Sequence, residues 1–318
     1  MLHSLQLYNP SWANALGMPS FKKIVIFGVG LIGGSFALAL KKAGVVEHIV
    51  GVGRRLETLE RAKSLGIIDA IGDATEVRDA DLVLIATPVA QTQAVLTAIA
   101  PYLQPHTIVT DAGSTKSDVV QAARLALGEK IAQFVPGHPI AGREQNGPEA
   151  ALADLYVGKK VVITALPENA AASVASVRSA WKHCGALIHE LSAEEHDAVF
   201  AAVSHLPHFL AYALVDDIAA SSKADLLFQY AASGFRDFTR IAGSSPEMWR
   251  DIVLANQSAL LVELDTYINQ LNKMRTLLHD ADGAGLQAIF TQAQTARQSW
   301  ITAIEMAEQK RTYEQGGD

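Results

Sequence analysis

A strand-length apolar run that ends in three spaced glycines, "KIVIFGVGLIGGSFALALKKAG" (23–44), constrains this chain more than any other stretch. Gly28, Gly30 and Gly33 form a G-x-G-x-x-G pattern between a β-branched run and an alanine- and leucine-rich helical segment. Gly28 permits a tight turn, Gly30 lets the backbone approach a pyrophosphate, and Gly33 lets helix and strand pack closely. The helix opens at Leu31 and Ile32, where the first N–H groups have no partner inside the helix and attract phosphate. The chain must therefore begin with a strand-turn-helix unit that presents a helix N-terminus to a ligand.

From Lys22 onward, strands are predicted at 23–28, 48–53, 81–87, 106–112, 133–139, 159–164 and 185–191, with amphipathic helical segments between them. This alternation predicts an α/β fold, a Rossmann-type doubly wound parallel sheet over residues 21–192. After Ser192 the strand runs stop, and residues 193–318 read as all-helical. Residues 1–20 read as a flexible arm. A chain of 318 residues, 49% of them hydrophobic, is long enough to build two cores. "SPEMWRDIVLANQSALLVELDTYINQLNKMRTLL" (245–278) carries more apolar surface than one small domain buries, which predicts a homodimer formed through the helical domain.

The formal net charge of −7, with no local cluster of Lys and Arg, argues against nucleic acid as a partner. Cys184 is the only cysteine, so no intrachain disulfide forms, and a cytoplasmic location is expected. The first twenty residues lack a basic start followed by an apolar run, and no later stretch reads as long and uninterrupted enough to span a bilayer.

The second predicted strand ends in "GVGRR" (51–55), where NAD-binding chains present an acidic residue to the ribose hydroxyls. Here Gly53 takes that place and Arg54 and Arg55 follow. Two guanidinium groups and no carboxylate favour the 2′-phosphate of NADP over NAD. The competing reading makes both arginines solvated residues, with Glu57 as a displaced acid. Thr87 and Pro88, in "ATPVAQT", lie at the next strand end along the cofactor, with Pro88 opening a helix.

Two further strand ends point toward the same crevice. Ser114, in "TDAGSTKSDVV", reads either as a helix N-cap or as a ligand-facing hydroxyl. His138, in "PGHPIAGREQNG", sits in a loop stiffened by prolines and glycines, where a neutral imidazole can take a proton from an alcohol as hydride leaves. "SHLPH" places His205 and His208 three apart, but no third or fourth ligand accompanies them, and no metal is expected.

Taken in order, "GVGLIGGS", "DAGSTK", "GHPIAGRE", "SHLPH" and "GFRDFTRIAGSSPEMWRDI" resemble the prephenate and arogenate dehydrogenase family of tyrosine biosynthesis. The resemblance runs from Phe21 to past Leu260. It implies oxidation of a cyclohexadienol that carries a ring carboxylate, with hydride leaving ring C4, loss of carbon dioxide and aromatisation. It implies that His138 deprotonates the 4-hydroxyl and that Ser114 orients both hydroxyl and imidazole. An unperturbed histidine already has a pKa close to the working pH of such a base. Arg240 matches the family's carboxylate-binding arginine. Arg236, one turn earlier, either joins it or pairs with Asp237 at the surface. Glu144 and Trp249 would hold or gate the arginine, and His205 and His208 would line the pocket near the substrate side chain, His205 alternatively only packing. Prephenate and arogenate differ in that side chain, and "REQNG" (143–147) is the candidate stretch for telling them apart. Tyrosine is expected to be able to inhibit by competing for the same pocket. Two other readings are a β-hydroxyacid dehydrogenase, which calls for a catalytic lysine not found in the helical half, and a non-catalytic NADP(H) sensor.

Overall fold

The computed structural model describes residues 20–143 and 145–315, with side chains as far as Met306. The expected arm lies outside them apart from Ser20, as does Glu144. Six strands, β1 (Phe21–Phe27), β2 (Val46–Val52), β3 (Ala70–Ile71), β4 (Leu82–Ile85), β5 (Ile108–Asp111) and β6 (Phe134–Val135), pair in parallel in the order β3-β2-β1-β4-β5-β6. This is the doubly wound order, and its switch point lies between β1 and β4. Along β1, Ile24 and Ile26 enter one hydrophobic core with Phe36 and Leu40, while Val25 and Phe27 enter another with Val83, Leu96 and Val109. The period-two alternation thus feeds a core on each face, which is why the strand reads as one apolar run. Helices α1 (Leu31–Lys42), α2 (Leu56–Ser64), α3 (Thr92–Ile99), α4 (Ser117–Leu127) and α5 (Ala171–His183) complete this part.

The single strand predicted at 133–139 is instead two strands in different sheets. Pro136 has no N–H to offer a ladder, and it separates β6 from β7 (Gly137–Pro139). The Gly137 N–H turns to the Asp111 carboxylate, at 3.0 Å. β7 pairs antiparallel with β8 (Lys160–Ile163), which pairs in parallel with β9 (Leu187–Glu190). The last strands therefore form a separate three-stranded sheet rather than extending the first. This break turns His138 out of the main sheet.

The helical part opens with α6 (Ala193–Phe200), whose Ser192 and Glu195 form a reciprocal capping box. One π-turn, Ala201–His205, joins it to α7 (Leu206–Ala219), and α8 (Ala224–Gln229), α9 (Ser233–Thr239), α10 (Pro246–Ala255), α11 (Gln257–His279) and α12 (Gly283–Gln315) follow. Contrary to the sequence expectation, the continuous helix Ala193–Ala219 is long and apolar enough to cross a membrane by length and composition. His196, Asp197, Ser204 and His205 look like interruptions in the sequence. In the structure they stay within the helix, its register shifted only at the π-turn, and the His196, Asp197 and His205 side chains are bonded within the same unit. Compact packing places α6 to α10 with the sheets in one unit that ends at Leu260, and a second unit starts at Leu261. The second unit exposes Leu261, Val262, Ile268, Leu271, Leu278, Phe290 and Trp300.

Candidate active site

The glycine turn forms a cradle. Gly28 has φ +91°, and a Cβ there would lie 2.5 Å from the Ala86 carbonyl oxygen; one on Gly33 would lie 2.2 Å from the Gly28 oxygen. Only glycine permits this approach between α1 and the end of β4. Gly30 is the N-cap of α1 and supplies no side-chain cap, and a Cβ on it would meet nothing within 4 Å. The first N–H groups, from Leu31, Ile32 and Gly33, therefore serve an open space suited to an anion. Across the switch point, the buried Thr87 hydroxyl has no hydrogen-bond partner, and Pro88 leads a 3-10 turn into α3. An orphaned buried hydroxyl and an uncapped helix N-terminus fit a dinucleotide laid across them.

At the end of β2, Arg54 and Arg55 are exposed, and Arg55 is the N-cap of α2. Gly53 leaves no carboxylate at the strand end. The neighbouring acid Asp69 is already engaged, accepting from Lys41 Nζ and the Ile49 N–H, each at 2.7 Å.

The candidate base belongs to a chain of buried groups that sequence reading missed. His138 Nδ1 lies 2.7 Å from His196 Nε2, and His196 Nδ1 lies 2.8 Å from Asp197 Oδ1. The Asp197 carboxylate accepts the N–H groups of Lys116 and Ser117, both at 2.8 Å, and so caps α4 from another helix. Lys116 is the N-cap residue, so Ser114 is not the cap; it lies half-buried in the loop that precedes α4. Beneath this chain, fully buried Lys116 pairs with Asp111, which also accepts the N–H groups of Gly113 and Gly137 at 2.8 and 3.0 Å. The rings of His138, His196 and Phe200 pack edge to face or tilted, with centroids 4.5 to 5.0 Å apart.

The helical wall is built from the π-turn and α10. Eight residues separate Asp197 from His205, which in an unbroken α-helix leaves them about 80° apart around the axis. The extra residue of a π-turn reduces this to about 20°. Asn256 then bridges the pair, its Nδ2 donating to the Asp197 carbonyl at 2.8 Å and lying 3.0 Å from His205 Nδ1. His205 is 1% exposed, a packed residue rather than an open wall. His208 donates from Nδ1 to the Ser204 carbonyl at 2.9 Å and stacks on Trp249, with centroids 3.6 Å apart. Arg240 opens a short 3-10 turn after α9 and is near enough for its charge to act on His208. Arg236 stands apart: its side chain is 82% exposed, with its guanidinium 3.8 Å from Asp237, so the surface pairing is the one found.

Burial dominates the electrostatics. It pushes the His138 pKa well below the usual histidine value, and the neighbouring His196, Lys116 and His205 push in the same direction. The expectation of an unperturbed imidazole is thus corrected: His138 stays neutral through the physiological range. Burial likewise lowers His205 to about 4. The unfolded chain, where histidine titrates near 6.5, then binds the proton first, so stability falls as pH drops from about 6.5 toward 4. For His205 a shift of that size corresponds to about 3 kcal/mol. Urea denaturation at pH 7, 6 and 5 should give a steep loss that His205→Asn, which keeps an acceptor near Nδ1, makes shallower. An identical slope in the variant would place the proton uptake elsewhere.

The family model described as "Prephenate dehydrogenase, nucleotide-binding domain" matches residues 36–190, and "Prephenate dehydrogenase, dimerization domain" matches 192–292. A cyclohexadienyl dehydrogenase of Zymomonas mobilis is 39% identical over 88% of this chain and 96% of its own length. The crystal structure of prephenate dehydrogenase from A. aeolicus in complex with hydroxyphenyl propionate and NAD+ is 36% identical, with a TM-score of 0.82 over 87% of this chain and 98% of that one. Synechocystis arogenate dehydrogenase is 30% identical, with a TM-score of 0.75 over 87% of this chain and 99% of that one. The two domain matches adjoin across most of the chain and include His138, His196 and Asp197, and the chain belongs to the prephenate dehydrogenase family.

Proposed function

We propose that this chain catalyses the oxidative decarboxylation of prephenate, arogenate or both in tyrosine biosynthesis, with NADP preferred over NAD. The observation that carries the reading is a buried, neutral His138 held by a defined chain of partners on the crevice side of a dinucleotide cradle. When bound, the nicotinamide cofactor supplies the hydride acceptor. His138 takes the 4-hydroxyl proton of the substrate, and Ser114, on the neighbouring strand-end loop, orients that hydroxyl. The ring carboxylate leaves as carbon dioxide, and aromatisation makes the step irreversible. Arg240 receives the ring carboxylate, with Trp249 and Glu144 as its gate and His208 beside the substrate side chain. The NADP preference rests on Arg54 and Arg55 at a strand end without a carboxylate. The exposed apolar faces of the helical part are covered by a second copy, tyrosine competes for the substrate pocket, and the enzyme works in the cytoplasm.

Reduced-cofactor formation measured in four mixtures, prephenate or arogenate with NADP+ or NAD+, tests the whole reading. Turnover with NADP+ and either substrate supports it. Turnover with NAD+ alone overturns the cofactor assignment, and silence in all four moves the protein to a nucleotide sensor. In the same assay Arg54→Ala/Arg55→Ala should raise KM for NADP+ and leave KM for NAD+ unchanged; equal effects on both would deny the arginines a phosphate.

Arg240→Gln should raise the substrate KM by roughly 10- to 100-fold with kcat within a few-fold, the cost of a charged hydrogen bond lost in ground state and transition state alike. An unchanged KM assigns this arginine to the surface.

A further inference from the structure

We infer that His196 and Asp197 are positioning residues that fix the tautomer of His138, so that the lone pair accepting the substrate proton stands on Nε2. The inference rests on His138 being the base, and follows from counting hydrogens. A carboxylate offers only lone pairs, so Asp197 Oδ1 requires a hydrogen on His196 Nδ1 at 2.8 Å. Neutral His196 then has a bare Nε2, and His138 Nδ1, at 2.7 Å, must carry the hydrogen between them. That leaves Nε2 of His138 as the free lone pair. The opposite arrangement would put a bare His196 Nδ1 against the carboxylate, two lone pairs facing each other in a buried site.

Asp197 is held as a carboxylate from the far side. Burial opposes its charge, but hydrogen bonds from His196, Ser117 and Lys116 outweigh burial, and its pKa ends below the ordinary value. The two N–H donors are those of the N-cap and the first residue of α4, so the positive end of that helix faces the charge. The ionic and titratable groups facing His138 are His196 from α6, His205 from the π-turn and Lys116 at the entry to α4, with Asp111 linked through the Gly137 N–H. Lys116 and Asp111 neutralise each other. One negative charge, on Asp197, is left to balance the imidazolium that forms when His138 takes the proton. The logic is that of the aspartate in a serine-protease triad, with one more imidazole inserted between carboxylate and base.

Asp197→Asn separates positioning from packing. With its oxygen in place of Oδ2 it still accepts the Ser117 N–H, while its NH₂, in place of Oδ1, gives up the Lys116 N–H, donates to His196 Nδ1 and reverses both tautomers. In the serine-protease triad this exchange costs about 10⁴ in kcat by imposing the wrong tautomer. Here a loss of at least about 100-fold in kcat is expected with cofactor affinity unchanged. The tautomer itself is read by NMR of 15N-histidine-labelled enzyme without substrate, the His138 signals being those missing from His138→Asn. In the parent, Nδ1 should carry the hydrogen and Nε2 be bare; in Asp197→Asn the two should exchange. Should Asp197→Asn not fold, His196→Gln keeps an acceptor near the Nε2 position and His196→Phe keeps only the ring volume. Gln should then retain at least ten times the kcat of Phe. A hydrogen on Nε2 in the parent, an unchanged tautomer in Asp197→Asn, or a folded Phe variant as active as Gln would each overturn the inference. The NMR readout needs no turnover, so an enzyme silent toward both substrates sinks the functional reading, and with it the proton-accepting role, while the tautomer is still tested on its own.

Discussion

Turnover of a His138→Asn variant is expected to fall by roughly two to four orders of magnitude, the usual worth of a positioned general base. The dissociation constant for NADP+ should stay within about twofold. Asparagine places its amide near the former Nδ1 and can still donate to His196 Nε2, so the chain to Asp197 and the ring packing below it persist. What disappears is the single lone pair at Nε2. The cradle is untouched, because His138 sits on β7 of the small sheet whereas Gly28, Gly30 and Thr87 belong to the ends of β1 and β4 in the main sheet. The pH profile gives a second check. Burial holds His138 well below the normal histidine pKa, so in the parent the base is already free at pH 6.5, and any acid limb it causes lies lower. Stopped-flow single turnovers with either substrate measure the step directly. A variant with unchanged single-turnover rate removes His138 from proton transfer, whatever its place in the family motif.

The parts of this site that could be read in the sequence are those whose chemistry is local. Gly28, Gly30 and Gly33 are five residues apart at most, and their spacing encodes one turn and one helix N-terminus. His138 was readable because Pro136, Pro139 and the flanking glycines mark a stiff strand end. The same Pro136 was misread, since a proline inside an apolar run looks like punctuation in one strand until the neighbouring ladder shows that it separates two sheets. His196 and Asp197 were missed for a different reason. Their meaning depends on partners far away in the chain: His138, and the N–H groups of Lys116 and Ser117. A His-Asp pair one residue after a capping glutamate was the available signal, and helical periodicity hid it. The π-turn was unreadable as well, because one extra residue in a helix leaves no mark in hydrophobic spacing over so few turns. Yet it is this residue that swings His205 onto the side where Asn256 can bind it.

Lys116→Met is expected to destabilise the protein by about 3–5 kcal/mol, because it strips a buried carboxylate of its counter-charge. Lys116 is fully buried and Asp111 is 1% exposed, so water cannot take over the solvation of either. Asp111 would keep the N–H groups of Gly113 and Gly137, which limits the loss to the charge itself. In a chain of this size the melting temperature should drop by roughly 10 °C. The effect on chemistry has a defined sign. The Lys116 charge depresses the pKa of both His138 and His196, so removing it raises both, and the acid limb of kcat/KM should move to higher pH. Lys116→Met/Asp111→Asn neutralises the pair while leaving an acceptor for Gly137, and should recover much of the lost stability. Strong coupling in this double-mutant cycle identifies the buried charge as the cause. Additive losses, or an acid limb that stays in place, would instead mean that Lys116 acts by filling space, and that the charges under the base do not set its proton affinity.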